Sequence, residues 1–591
     1  MFFIAARRIL PIYKKKENMK NIKWWQKAVF YQIYPHSFAD GNGDGISDFP
    51  GMTTKLDYLQ DLGIDGIWLS PHYPSPFIDC GYDISDYTDV GPEYGTLADF
   101  KRFLGEAHRR ELRVILDLVL NHTSNQHKWF QESRSSRDNP RRDWYIWRDG
   151  KNSGPPNNWD STFGGSAWEY DAASGQYYYH FFFKEQPDMN WRNPEVKQAM
   201  WNAIRFWLDM GVDGFRLDAI GTVYEHPEIP DHTGKSLLEL QQEGISAKTQ
   251  EEFDRLETEW KASFQYQVDL PEVHELMKEL RQVVNEYEDR VLVGETDDIR
   301  FYGSGDDELH LAFNFPLMQV DGPLTPTWIR NNQKSRLASL PPQAWPCNTL
   351  GNHDSPRVFN RYGEGRGTTH VHDAARARLS LALILTLRGT PFLYNGEEIG
   401  MTDYYLTDPA LFRDNTSTYA YPLLISLLGK SPEEALKMAA MFGRDKCRTP
   451  MQWSNAPNAG FCPVEVTPWL PVNPNYAQGV NVADQQSDPH SLWNFYKRML
   501  QVRRSTPALI TGDYTSLHEE AEDYLAFMRH TSDGSQKCLI ILSYSPQPLE
   551  IHFDQPDNLA RLVFSSSPRS PAVEPLAKIN LQPFEIYIAE V

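Results

Sequence analysis

From residue 29 to residue 393 the chain alternates short apolar runs, rich in β-branched and aromatic residues, with longer stretches of helical period. That alternation leaves few folds open. The runs that read as strands are 29–34, 66–69, 113–118, 214–217, 291–294, 309–315, 346–350 and 391–393. Helical patterns over 54–62, 97–110, 194–210, 271–286 and 373–387 separate several of them. Eight such alternations predict a parallel sheet closed on itself, an α/β fold of the (β/α)8 TIM-barrel type.

Three stretches break the rhythm. Residues 122–190, full of Trp, Tyr, Asn, Gly and Pro, are too long and irregular for a plain strand-to-helix loop and read as a small inserted subdomain over the barrel top. Residues 224–269, with helical patterns at 236–243 and 250–264, and residues 402–457 read as two helical excursions that wall a pocket. After a helix at 490–504, alternating runs at 524–527, 537–542, 549–553 and 584–589 predict a C-terminal antiparallel β-sandwich. At 591 residues more than one domain is expected. The expected division is a tail at 1–20, a barrel at 21–121 and 191–510, the insertion at 122–190 and the β domain at 511–591.

Charge narrows the function classes. A formal net charge of −21 repels nucleic acid and anionic membrane surfaces, so a neutral substrate is the natural partner. No window is long and apolar enough to span a bilayer. The six apolar residues before Arg7 and Arg8 are too few for a secretion signal, and Met19 is an alternative start. Five scattered cysteines, Cys80, Cys347, Cys447, Cys462 and Cys538, show no metal spacing, and their odd number fits a reducing, cytoplasmic setting. The expected assembly is a monomer or small homo-oligomer.

Barrels of this type do their chemistry at the C-terminal ends of their strands, and acidic residues recur there. The third strand ends in Asp117 and runs to Asn121-His122, the fourth ends in Arg216-Leu-Asp218, the fifth in Gly294-Glu295, and the seventh runs into Asn352-His353-Asp354. Cleaving a glycosidic bond with retention needs an ionised carboxylate and a protonated one roughly 5 to 5.5 Å apart. The side-chain period of two puts Arg216 and Asp218 on one face, so that a fixed cation keeps Asp218 ionised as nucleophile. Glu295 has no adjacent cation in sequence and suits the proton donor. Singly, His122 and His353 read as core histidines, Asp117 as an orderer of its loop, Arg216 as a buried ion partner and Asp354 as a helix cap. As an ordered set on four strand ends they point to catalysis.

These blocks, with Gln186-Pro-Asp-Met-Asn190 and Arg444-Asp-Lys-Cys-Arg-Thr-Pro-Met-Gln-Trp453, resemble the α-amylase superfamily of glycoside hydrolases, and most closely its α-glucosidase and oligo-1,6-glucosidase branch. The resemblance implies nucleophile Asp218, acid/base Glu295 and transition-state stabiliser Asp354. It implies that His122, Arg216 and His353 hold the terminal glucose, that Tyr82 stacks on it, and that Asp83 with Arg444 grips its 4-hydroxyl and closes the pocket. A closed end means exo-action. Ala219, the residue after the nucleophile, implies α-1,4 or broad linkage specificity, where valine accompanies α-1,6 preference in the family. The same covalent intermediate also serves transglucosidases and sucrose or trehalose isomerases, and a non-catalytic scaffold relative is a third alternative.

A second motif, Asp40-Gly-Asn42-Gly-Asp44-Gly45-Ile46-Ser-Asp48, sets oxygen donors at alternate positions as in the first half of an EF-hand loop, but its twelfth position is Gly51 rather than Glu. Relatives with this loop imply one structural Ca2+ or Mg2+, with Ile46 giving its carbonyl; no organic cofactor is expected.

Overall fold

The computed structural model describes residues 22–247, 249–320, 322–363, 371–554 and 558–591. The expected tail and Met19 lie outside them. Eight parallel strands form the barrel: β1 Phe30–Ile33, β2 Gly66–Leu69, β3 Arg113–Val119, β4 Gly214–Asp218, β5 Val291–Gly294, β6 Leu311–Ala312, β7 Cys347–Thr349 and β8 Thr390–Tyr394. Their order in the sheet is β7-β8-β1-β2-β3-β4-β5-β6. A parallel bridge from Phe313 to Cys347 joins the two ends and closes the ring.

The period of two then sorts side chains inside from outside. Phe30, Trp68, Ile115, Val291, Val293, Leu311, Phe313, Cys347 and Phe392 meet in one interior cluster. Tyr31, Ile67, Leu116, Phe215, Leu217, Leu292 and Leu393 face the surrounding helices. Moving two residues along a strand from an interior apolar residue reaches Gln32, Asp117 and Glu295. The barrel is therefore apolar low down and charged at its mouth. Gly214 opens β4 at φ 154, and a Cβ there would lie 2.1 Å from the Val291 carbonyl, so close pairing with β5 requires glycine.

Local chemistry sets the helix ends. Leu97–Arg109 begins with a capping box between Thr96 and Asp99. Pro194–Met210 starts from the Asn193 cap and Pro194 and stops at left-handed Gly211. Two helices lie here, Phe49–Thr54 before the run expected at 54–62 and Leu56–Leu62 within it. Asp48 caps the first and starts it early, and Lys55 leaves helical geometry between them. The expected run at 309–315 holds only the short β6, because a helix starts at Phe315 with Pro316 in its first turn.

In the inserted stretch a three-stranded antiparallel sheet spans Trp147–Arg148, Trp168–Asp171 and Gln176–Tyr179. Trp159, Trp168, Tyr179 and Phe181 pack there with Leu237 and Phe264 from the excursion after β4. Helices Asn415–Ser426 and Pro432–Phe442 make up the excursion after β8 and share a core of their own. The C-terminal region holds a six-stranded antiparallel sheet covered by a two-stranded one. Along Tyr524–His530, Leu525 and Phe527 pack toward the barrel while Ala526 packs toward the second sheet. Among the described residues no helix is long and apolar enough to cross a membrane.

Two buried arginines meet the end of one barrel helix, and Arg529 ties this β region to it. Arg503 donates to the carbonyls of Leu385, Leu509 and Gly389 at 2.7, 2.9 and 2.9 Å. Arg529, fully buried, donates to Thr386 at 2.5 Å and to Gly512 at 2.8 Å. Leu385 and Thr386 close the helix Asp373–Thr386. Both guanidinium groups therefore sit at the negative end of its dipole and satisfy carbonyls that the helix leaves unpaired. Arg529→Met should lower stability by about 2–4 kcal/mol; urea unfolding followed at the β region should show it, and an unchanged midpoint would contradict the pinning role.

Candidate active site

The barrel mouth gathers three carboxylates around one cation. Arg216 Nη1 lies 2.7 Å from Asp117 Oδ1 and 2.7 Å from Asp218 Oδ1, and Nη2 lies 2.8 Å from Glu295 Oε1. A planar guanidinium fixes both partners in direction as well as distance and holds the Asp218 and Glu295 carboxylates on one cation. The second oxygen of Glu295 accepts the Ala219 N–H at 2.9 Å. Ala219 adopts left-handed geometry, φ 43 and ψ 41, which turns that N–H toward Glu295. Glu295 thus has the cation that sequence adjacency did not show.

Burial pushes Asp218 well above the usual carboxylate range, the Glu295 charge adds to the push, and Arg216 opposes it. Burial likewise raises Asp117 to about 6 against Arg216. With more negative than positive charge in one cluster, Asp117 and Asp218 each feel other carboxylates as well as the cation. Asp354 is the opposite case. Burial opposes its ionisation, but His353, Arg448 and Arg444 override that and hold it far below the ordinary value. Arg448 Nη2 lies 2.5 Å from Asp354 Oδ1, and its Nε donates to the His353 carbonyl at 2.9 Å.

Burial disfavours the charged form of both site histidines. Burial takes His353 well below 6.5 and His122 to about 4. His353 Nδ1 meets Gln32 Nε2 at 2.7 Å, which places the ring proton on Nε2, 3.3 Å from Asp354 Oδ2. Tyr82 is buried, its ring stacked on His353 at 5.6 Å and its hydroxyl 3.1 Å from Asp117 Oδ2.

The expected pair of Asp83 and Arg444 does not form. Asp83 is fully buried and accepts from the backbone N–H groups of Ile78 and Asp79 and from the Ser75 hydroxyl at 2.9 to 3.0 Å. It shapes its own loop. Asp79 reaches Arg444 instead, Nη2 to Oδ1 at 2.7 Å, while Gln186 Nε2 donates to Asp79 Oδ2 at 3.0 Å and lies 2.8 Å from His122 Nε2. Left-handed Cys80 and Gly81 turn the loop between the two aspartates, and this turn decides which one faces the arginine. Spacing along the chain cannot tell Asp79 from Asp83. Gln186 and Arg448 stood inside recognised blocks without an assigned contact, and Gln32 was inferable only from its place on the inner face of β1.

The Asp40–Asp48 loop lies apart from this cluster. Asp40 accepts from the N–H groups of Gly43 and Gly45 at 2.6 and 2.8 Å, Asn42 from Asp44 and Asp44 from Ile46 at 2.9 Å, and Asp48 from Asn42 at 2.8 Å and Gly51 at 2.6 Å. Among the described residues no three His, Cys, Asp or Glu side chains are grouped so as to hold a metal. The ligand atoms are all oxygens, which matches a hard cation, and Asp40, Asn42 and Asp44 keep lone pairs beyond their turn bonds, whereas Asp48 Oδ2 accepts from both Gly41 and Asn42.

The pattern "Alpha amylase, catalytic domain" matches residues 32–512. The chain belongs to the α-amylase family. It is 39% identical over 588 residues to the oligo-1,6-glucosidase of Parageobacillus thermoglucosidasius, covering 96% of this chain and 99% of that one. It is 40% identical over 523 residues to an α-glucosidase of Pediococcus pentosaceus, covering 85% and 88%. Among solved structures the trehalulose synthase MutB from Pseudomonas mesoacidophila MX-45 superposes with a TM-score of 0.84 at 38% identity, over 96% of this chain and all of that one. The (β/α)8 barrel with its C-terminal antiparallel sheet is therefore that of an α-amylase family enzyme, a glycoside hydrolase whose named relatives act on α-glucosides.

In this α-amylase family site the electrostatics give a direct test. Glu295→Gln removes the negative neighbour that raises Asp218, so Asp218 should ionise at lower pH. With an α-glucosyl fluoride, whose leaving group needs no proton, the acid limb of kcat/KM should shift to lower pH in the variant. A limb that stays or moves upward would show that the two carboxylates do not interact.

Proposed function

We propose that this chain is a retaining, exo-acting α-glucosidase that releases glucose from the non-reducing end of short α-glucosides such as maltose, malto-oligosaccharides, isomaltose and sucrose. The observation that supports it most is Asp218 and Glu295 sharing one guanidinium at the barrel mouth. In this reading Asp218 attacks the anomeric carbon while Glu295 protonates the departing oxygen. The glucosyl ester on Asp218 is then hydrolysed by a water that Glu295 deprotonates. Asp354, held ionised by its cations, accepts hydrogen bonds from sugar hydroxyls and favours the distorted ring. Tyr82, His122, Arg216 and His353 frame the glucose, and Asp79 with Arg444 takes the 4-hydroxyl, the role first expected of Asp83.

Asp218→Asn should lower glucose release from maltose and isomaltose roughly a thousandfold or more while leaving the fold intact by circular dichroism. In the wild type, NMR of the first product should show α-glucose. Full activity in the variant, or β-glucose from the wild type, would overturn the proposal. The likeness to a trehalulose synthase supports a second reading, in which the same intermediate passes to a sugar. Isomer exceeding free glucose at high sucrose concentration would favour it.

We also propose a structural Ca2+ or Mg2+ in the loop, held by Asp40, Asn42, Asp44, Asp48 and the Ile46 carbonyl and remote from the reaction. Chelation should lower the thermal midpoint, and Ca2+ or Mg2+ should restore it. An unchanged midpoint would leave the loop held by its own turns. Five free, buried cysteines support a cytoplasmic setting.

A further inference from the structure

We propose that Asp414 is a positioning residue for recognition of the terminal sugar, acting through Arg444. The inference rests on the α-glucosidase reading above and deepens it. Asp414 is fully buried and takes one side of the Arg444 guanidinium, Nη2 to Oδ1 at 2.8 Å and Nε to Oδ2 at 3.1 Å. It also accepts the Arg444 backbone N–H at 2.7 Å. Three donors of one residue therefore converge on one carboxylate. The same Nη2 reaches Asp79 at 2.7 Å, and Nη1 stands 3.6 Å from Asp354. A guanidinium gripped along its Nε edge cannot rotate, so its other edge is held toward Asp79 and Asp354.

Asp414 is itself held. Its N–H donates to Asp445 at 3.1 Å, and its Oδ1 accepts the Thr416 N–H at 3.1 Å as N-cap of the helix Asn415–Ser426. The adjacent Asn415 side chain donates to the Ile78 carbonyl, beside Asp79. Farther along this helix Tyr419 packs on Phe183 of the inserted stretch, ring centres 5.6 Å apart. The start of this helix therefore places Arg444 and contacts the Asp79 loop at a second point. The structure assigns to the excursion after β8 a share in choosing the sugar, exerted from outside the barrel.

The experiment compares kcat and KM for p-nitrophenyl α-glucoside and its 4-deoxy analogue in wild type, Asp414→Asn, Arg444→Gln, the double variant and Asp79→Asn. Asparagine is a good N-cap, so the helix start is retained in Asp414→Asn. Its preference for the 4-hydroxyl sugar should fall roughly tenfold, expressed mainly in KM. The double variant should be no worse than Arg444→Gln, because the two residues act as one unit. Equal loss on both substrates, or additive losses in the double variant, would reduce Asp414 to a structural role and overturn the proposal. Unchanged preference in Asp79→Asn, with the parent glucoside still hydrolysed, would instead remove the reading of the pocket end on which the proposal rests.

Discussion

One buried arginine organises the barrel mouth. Arg216 touches Asp117, Asp218 and Glu295 with the two ends of a single guanidinium. Burying Asp117 and Asp218 beside the part-exposed Glu295 is costly, and without a partner the carboxylates would protonate or repel one another apart. The cation lets them stay together but does not neutralise them. That imbalance adds to the burial that raises Asp218. Asp354 escapes it through a separate pair of arginines, which keep it charged a short distance away.

The cluster around Arg444 is assembled differently. Its members come from the loop after β2 with Asp79, the inserted stretch with Gln186, and the excursion after β8 with Asp414 and Arg444. None of these belongs to the barrel sheet. The strands carry the acids of the mouth, and loops of unrelated length meet around Arg444. The helix Asn415–Ser426 shows how far this reaches, because its capping residue also holds Arg444.

The barrel was legible because its signals are local. Eight apolar runs with helical stretches between them state the fold, and the period of two states that Arg216 shares a face with Asp218. Where the reading slipped, a local signal was overridden by its surroundings. The sixth strand is short because Pro316 opens a helix, and the run at 54–62 holds the helix Leu56–Leu62, preceded by a separate helix that Asp48 caps at Phe49. Asp48 carries two motifs in sequence, cap and cation ligand, and its hydrogen bonds are those of a cap and turn.

The chain by itself determined the strand count, the inward face of each strand and so the acids that stand at the barrel mouth, because backbone periodicity is written residue by residue. Only the tertiary structure decided which cation Glu295 shares, that Asp79 rather than Asp83 meets Arg444, and that Asp414 holds that arginine. Those contacts join side chains far apart in the chain. They depend on where left-handed residues such as Cys80, Gly81 and Ala219 turn their loops, and no spacing along the sequence encodes that turn.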